Sequence, residues 1–427
     1  MTILPMAVIF LIMAFLKAPF MESYINPGKS TSIALGFILV FAFLAGKNIN
    51  RIKLPQITGF LLAGILCGPY LMNFISLNDV KDLQLLDGLA LSLIALAAGG
   101  EMKIAQLRGR IKGLSSIVVL QTFMILGGFI AFGLAFAHLF GIFSGKSIPE
   151  IISISLLMGT LATATSPSTT LAVLTETGSR GKLSDLILSS AVVKDFFIIG
   201  LFAFSLTFSK SLISKDQHFD FGFVQHIFKE IGGSVLIGVI VGITIILYMK
   251  YVKRKMTVFI LAAAFLSYQI THNYGFHPLL ICLIAGFIVQ NFSSHGGDLI
   301  TALENVSLPV YVIFFAISGA SLNLDALRQS WMLALVLVFW RGLLKYAGTF
   351  LGAKFSGEDR YVQKWGWSGF ISQAGVALGM IIVIDRNFPD WGDEFRTVML
   401  AVIAINQIVG PIMLQRLLIK SGETGQV

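Results

Sequence analysis

Fourteen long apolar runs, separated by short polar connections, leave this chain little to fold into except a set of bilayer-crossing helices. A crossing takes about 20 residues, so fourteen use roughly 280 and leave no room for a separate soluble domain. The runs are Leu4–Phe20, Thr31–Gly46, Leu54–Tyr70, Leu83–Gly100, Leu114–Phe140, Ile151–Leu174, Leu183–Phe208, Ile231–Met249, Met256–Ile270, Pro278–Val289, Val306–Ala320, Trp331–Leu351, Trp365–Ile384 and Thr397–Leu417. The expected fold class is an all-α polytopic membrane protein with about 14 spans, or 13 if the short run Pro278–Val289 does not cross.

Charge tells the same story. Only 12% of the residues are charged, about half the share of roughly 25% found in soluble domains. The formal net charge of +9 is read as loops facing an anionic membrane, not as a nucleic-acid surface. With the N-terminus inside, the cytoplasmic connections hold 18 of the 31 Lys and Arg residues and the outer ones hold ten. That asymmetry predicts both termini in the cytoplasm. Met1–Pro5 has no basic stretch, so the first run reads as a retained helix, not a signal peptide. Cys67 and Cys282 sit in apolar runs without metal-ligand spacing and read as packing residues. No cofactor is expected. Neither a His-Glu-x-x-His motif nor a pair of mid-span aspartates is present, which argues against an enzyme.

Three basic residues remain inside spans: Lys194, Arg341 and Lys345. Asp195, beside Lys194, is the one acid near the middle of a span. Each such residue costs about 2.5 to 3.5 kcal/mol at a helix centre, which makes an ion or proton pathway the default explanation and a buried ion pair the plain one. A carboxylate is a hard oxygen ligand for either a proton or an alkali cation. Asp195 is therefore the expected ion-binding group, and the one expected to contact a metal ion, an alkali cation only.

Two spans carry polar interruptions. The sixth contains Thr163-Ala164-Thr165-Ser166-Pro167-Ser168-Thr169-Thr170, where Pro167 breaks the ladder and nearby hydroxyls are expected to satisfy the freed backbone groups. Thr165, Ser166 and Ser168 join Asp195 as candidate ion ligands. Seven spans later comes Trp367-Ser368-Gly369-Phe370-Ile371-Ser372-Gln373-Ala374-Gly375. Paired interruptions in two halves are the mark of inverted-repeat transporters, whose broken helices turn dipole ends and carbonyls toward an ion. An odd offset turns the halves opposite ways across the membrane, and it pairs Asn406-Gln407 in the last span with Lys194-Asp195.

With these motifs in order, the chain resembles the monovalent cation:proton antiporter superfamily, the bacterial Na+/H+ exchangers and their K+/H+ relatives. The likeness spans nearly the whole chain. Leu54-Pro55 through Gly68-Pro69 resembles the early Pro-Gly-rich span, Thr165-Ser166-Pro167 the first unwound helix and Ser372-Gln373-Ala374-Gly375 the second. Phe314–Leu322 resembles the span before the basic helix, and Arg341-Gly342-Leu343-Leu344-Lys345-Tyr346-Ala347-Gly348 the basic helix itself. The resemblance implies a homodimeric elevator exchanging Na+ (favoured over K+ or Li+) for H+. Residues 114–208 and 331–420 would form the ion-binding core, 1–110 and 256–322 the dimer scaffold, and 228–250 a linker helix. Asp195 matches the essential carboxylate.

The preceding position departs from the pattern. Electrogenic members carry Asp there and electroneutral ones usually Asn, whereas this chain has Lys194. A buried ammonium is disfavoured by desolvation, so a cation reaching Asp195 can displace a proton from Lys194. Exchange would then be one for one and electroneutral. The plainer reading is that Lys194 bonds to another helix, since neighbouring side chains diverge by about 100°. Repulsion from Lys194 would also unsettle any partnership of Asp195 with Arg341 or Lys345. The alternative function is an organic-anion transporter on a similar inverted-repeat fold, with the three basic residues attracting the substrate.

Overall fold

The computed structural model describes residues 3–17, 27–104, 110–213, 221–252, 255–274, 276, 278–373 and 376–425. Among these the protein is helical, with no strand. In chain order come α1 (Ile3–Leu16), α2 (Pro27–Asn50), α3 (Gln56–Cys67), the short α4 (Leu77–Asp82), α5 (Gln84–Glu101), α6 (Ile111–Phe136), α7 (Ile148–Thr163), α8 (Pro167–Thr177) and α9 (Lys182–Ile213). Then follow α10 (Phe221–Tyr251), α11 (Met256–Tyr274), α12 (Pro278–Phe292), α13 (Gly296–Ala320), α14 (Leu324–Ser356), α15 (Arg360–Trp365), a 3-10 turn Gly366–Phe370, α16 (Val376–Asn387) and α17 (Gly392–Ser421).

All fourteen apolar runs contain helix, but they differ in length. Among the described residues seven helical spans are long and apolar enough to cross a membrane, or eight if α13, bent by 58° between Val306 and Leu308, counts as one. Apolar stretches such as Gln56–Cys67 and Pro278–Phe292 are shorter. At 1.5 Å per residue a 12-residue helix spans only about 18 Å of a hydrocarbon core about 30 Å thick.

The chain forms two compact units, one from Met1–Glu101 with Val235–Asn323 and the other from Met102–Ser234 with Leu324–Val427. The division falls inside α10. In the first unit, α3 lies close on α13 because Gly64 faces the Ala316 carbonyl and Gly319 faces that of Leu61, so that any Cβ would collide with backbone. Close approach through small residues is how helices associate where lipid removes the hydrophobic drive.

The second unit is built around an apolar core that includes Ile125, Phe129, Leu157, Leu161, Ile198, Leu337 and Phe395. Its α14 meets α6 through Gly348 and Gly352, where a Cβ would stand 2.5 Å from Gln121 Cα and 2.6 Å from Ile117 Cα. The start of α9 is held by the C-terminal segment. The Glu423 carboxylate accepts from the Leu183 and Ser184 N–H groups, both at 2.8 Å, and from the Ser184 hydroxyl at 2.7 Å. An anion there meets the unpaired donors and positive end of the helix.

Candidate functional site

Both polar interruptions are true breaks. α7 stops at Thr163; Ala164 and Ser166 are extended, and α8 starts with Pro167 at its first position, capped by the Ser166 hydroxyl. Proline fits there because the first N–H of a helix has no internal partner. In the second interrupted span the 3-10 turn ends at Phe370, residues 371–373 are not helical, and α16 begins at Val376. The two breaks touch: the Ser166 N–H donates to the Ser372 carbonyl at 3.0 Å.

The carbonyls left over at these ends are taken by α14. Arg341 donates from Nε to Ala162, from Nη1 to Ile371 and from Nη2 to Ala164, each at 2.8 Å. One turn on, Lys345 Nζ donates to the Phe370 carbonyl (2.7 Å), the Thr165 hydroxyl (2.9 Å) and the Ala164 carbonyl (3.3 Å). Both side chains are fully buried. Hydrogen bonds to charged groups contribute about 1.5 to 3 kcal/mol each, so the six together can offset the several kcal/mol of desolvation per ion. The negative ends of the broken helices act as their counter-charge. Among the described residues neither cation is in an ion pair.

The expectation that hydroxyls of the first break satisfy its freed backbone holds in part: Ser166 Oγ accepts from the Thr169 N–H at 3.2 Å and Thr170 Oγ1 donates to the Ser166 carbonyl at 2.9 Å, whereas the Ala162 and Ala164 carbonyls are met by Arg341 and Lys345. Thr163 bonds one turn back to Gly159 at 3.0 Å, and Ser166 serves Thr169, whose hydroxyl lies 3.0 Å from its own. Thr165 accepts from Lys345, and its own donation to the Phe370 carbonyl is long, at 3.4 Å. Ser168 is half-buried and, among the described residues, has no side-chain partner.

At the second break Ser368 bonds locally to the Trp365 carbonyl (2.9 Å), while the Ser372 hydroxyl is buried and has no partner among the described residues. Gln373 donates to the Leu161 carbonyl at 2.8 Å and accepts from Asn406 at 3.1 Å, which ties α17 and the second break to the end of α7. The outer oxygens of Asn406 and Gln407 have no partner among the described residues. Gly375 lies outside the described residues.

Lys194 and Asp195 sit near the middle of α9 and do different things. Lys194 is fully buried; its ammonium donates to Gln121 Oε1 and stands 4.6 Å above the centre of the Phe370 ring. The Asp195 side chain is half-buried and, among the described residues, has neither a hydrogen bond nor an ion pair. The structure thus joins Lys194, Arg341, Lys345 and Thr165 at the breaks and leaves the adjacent carboxylate unengaged. Sequence reading missed Gln121 and Thr349, which bond each other within the same network. A polar amide inside the apolar run Leu114–Phe140 was the available signal.

The sequence profile of the transmembrane sodium/hydrogen exchangers matches residues 5–420. The chain belongs to that family. It is 22% identical over 387 residues to a Na+/H+ antiporter of Enterococcus hirae, covering 89% of this chain and 96% of that protein. It is 23% identical to the Na+/H+-K+ antiporter GerN of Bacillus cereus over 392 residues, 89% of this chain and 94% of the relative. Two structures of the sodium proton antiporter MjNhaP1 from Methanocaldococcus jannaschii share the fold. One has a TM-score of 0.72 at 18% identity, covering 94% of this chain and all of the other; the second has 0.65 at 15%, covering 92% and all.

Proposed function

We propose that this exchanger moves a monovalent cation against protons, with Asp195 binding the two in competition. The observation that carries the reading is the division of labour on α9 and α14. Arg341 and Lys345 are balanced by backbone carbonyls, so the one acid at the centre of α9 is not consumed as their counter-ion. Such a group can alternate between a proton and a dehydrated cation. Hydroxyls and carbonyls of the broken segments, Thr165, Ser166 and Ser168 among them, are the candidate oxygens to complete the cation's shell.

Na+ is the favoured ion because relatives are named as Na+/H+ antiporters, with K+ next because one relative is also named for it. The reading includes a homodimer working as an elevator, with residues 114–208 and 331–420 carrying the ion and both termini in the cytoplasm. It also includes electroneutral exchange with Lys194 as the proton carrier. Organic-anion transport is the weaker reading, since the donors that would greet an anion already serve Ala162, Ala164, Phe370 and Ile371.

The test is proton flux in proteoliposomes with Na+, K+ and Li+ added in turn. Wild type is expected to release protons on cation addition without charge movement, and Asp195→Asn to release none. Equal flux in Asp195→Asn refutes the competition, and a membrane-potential signal refutes electroneutrality alone.

A further inference from the structure

We infer that Gln121 is a positioning residue: it holds the Lys194 ammonium on α6 and so leaves the Asp195 carboxylate open to the transported cation. The inference rests on the reading of Asp195 as the ion site. It starts from the orientation of one amide. Thr349 Oγ1 donates to the Lys345 carbonyl at 2.7 Å, so toward Gln121 it can offer only a lone pair. Gln121 meets it with Nε2, and its Oε1 is thereby turned to Lys194. An ammonium has three donors and no acceptor, so it can use only that oxygen end. The two contacts fix the same orientation of the amide from opposite sides.

The second restraint on Lys194 is the Phe370 ring, 4.6 Å from Nζ, within the range of about 6 Å for a cation over an aromatic face. The Phe370 carbonyl accepts from Lys345, which anchors the backbone that carries the ring. Gln121, Thr349 and Lys194 are all fully buried. A buried amide and ammonium without partners would each bear a desolvation penalty, which keeps the arrangement closed.

Released from Gln121, Lys194 has a long flexible stem and a single neighbouring acid at the centre of its own helix. Side chains at i and i+1 diverge, so pairing is not automatic, but a mobile ammonium is drawn to a neighbouring carboxylate that has no partner among the described residues. A tethered cation there competes directly with a diffusing one.

The experiment measures the Na+ concentration that half-maximally stabilises the purified full-length protein against heating, a readout of binding that needs no turnover. Gln121→Met keeps the volume and removes the acceptor, and is expected to raise that concentration about tenfold. Thr349→Val removes the group that orients the amide and is expected to act in the same direction by about threefold, which covers the case in which Gln121→Met does not fold. In a Lys194→Gln background, Gln121→Met should have no further effect. An equal rise with and without Lys194, or no rise with Lys194 present, overturns the inference and shows that Gln121 only joins α6 to α14. Asp195→Asn is run alongside: Na+ stabilisation that survives it overturns the site reading itself, and this inference with it.

Discussion

The centres of α9 and α17, which lie seven apolar runs apart in the sequence, are built alike and equipped differently. In each, the first residue of an adjacent polar pair donates to the carbonyl oxygen of a glutamine: Lys194 to Gln121, and Asn406 to Gln373. In each, the second residue keeps an oxygen without a partner among the described residues, Asp195 in one and Gln407 in the other. The difference is charge. An amide cannot take up a proton near neutral pH and is a weak cation ligand, whereas a carboxylate can do both. On the proposed reading, exchange chemistry therefore belongs to α9, while Asn406 on α17 bonds to the second break through Gln373.

The largest expected effect tests that asymmetry. Asp195→Asn should lower cation-driven proton flux by about a thousandfold or more, equivalent to roughly 4 kcal/mol. Gln407→Leu should change it less than about threefold, because removing a buried oxygen that has no partner is close to neutral. Comparable losses in the two variants would mean that both helix centres bind the ion.

Next comes what keeps either centre next to a broken helix. Arg341→Met strips the Ala162 and Ile371 carbonyls of this donor and leaves Ala164 only the longer bond from Lys345, and should cost about 3 kcal/mol, since each buried acceptor left alone costs roughly 1 to 3 kcal/mol. Arg341→Lys, with a point charge in place of a planar fork, should recover only part of it. Thermal unfolding in detergent measures both, and a wild-type melting temperature in Arg341→Met would refute the capping role. Asn406→Leu should be milder, at about 1 to 2 kcal/mol, because one acceptor on Gln373 loses its donor.

The contrast between these residues explains what could be read in advance. The spans, the breaks at Pro167 and near Ser372, and the four charges on α9 and α14 were legible because each violates the apolar rule of a membrane helix. Their partners were not. Nothing in the spacing says that Arg341 and Lys345 reach across to carbonyls from both breaks, since carbonyls carry no sequence signature and the meeting depends on how α7, α14 and the 3-10 turn pack. The same applies to Gln121, which is 73 positions from Lys194. Seven of the fourteen runs also form helical spans that are long and apolar enough to cross a bilayer, because hydropathy reports burial or lipid contact without reporting where a helix ends. The close approach of α14 to α6 at Gly348 is a backbone fact that no hydropathy pattern encodes.

The smallest expected effect sets Asp195 against a carboxylate that is fully engaged. Asp79, in the short helix α4, accepts from the Ser76 N–H at 2.9 Å, the Ser76 hydroxyl at 2.7 Å and the Thr31 hydroxyl at 2.9 Å, with Lys17 Nζ at 3.8 Å. Burial pushes its pKa up, but the Ser76 and Thr31 hydrogen bonds and the Lys17 charge outweigh this and hold it below the ordinary carboxylate value. A carboxyl whose folded pKa is depressed stabilises the fold fully above its unfolded value, about 3.9, and that contribution is lost as the pH falls through the lower folded value. Asp79→Asn should therefore lower the melting temperature at about pH 7, by an amount that shrinks as the pH falls below about 3.9 and the wild-type group loses its charge. Melting curves of the two proteins across that window decide the matter. A deficit that persists unchanged into acid would show that Asp79 acts through its shape and neutral hydrogen bonds, and that engagement by partners, which separates it from Asp195, does not depend on its charge.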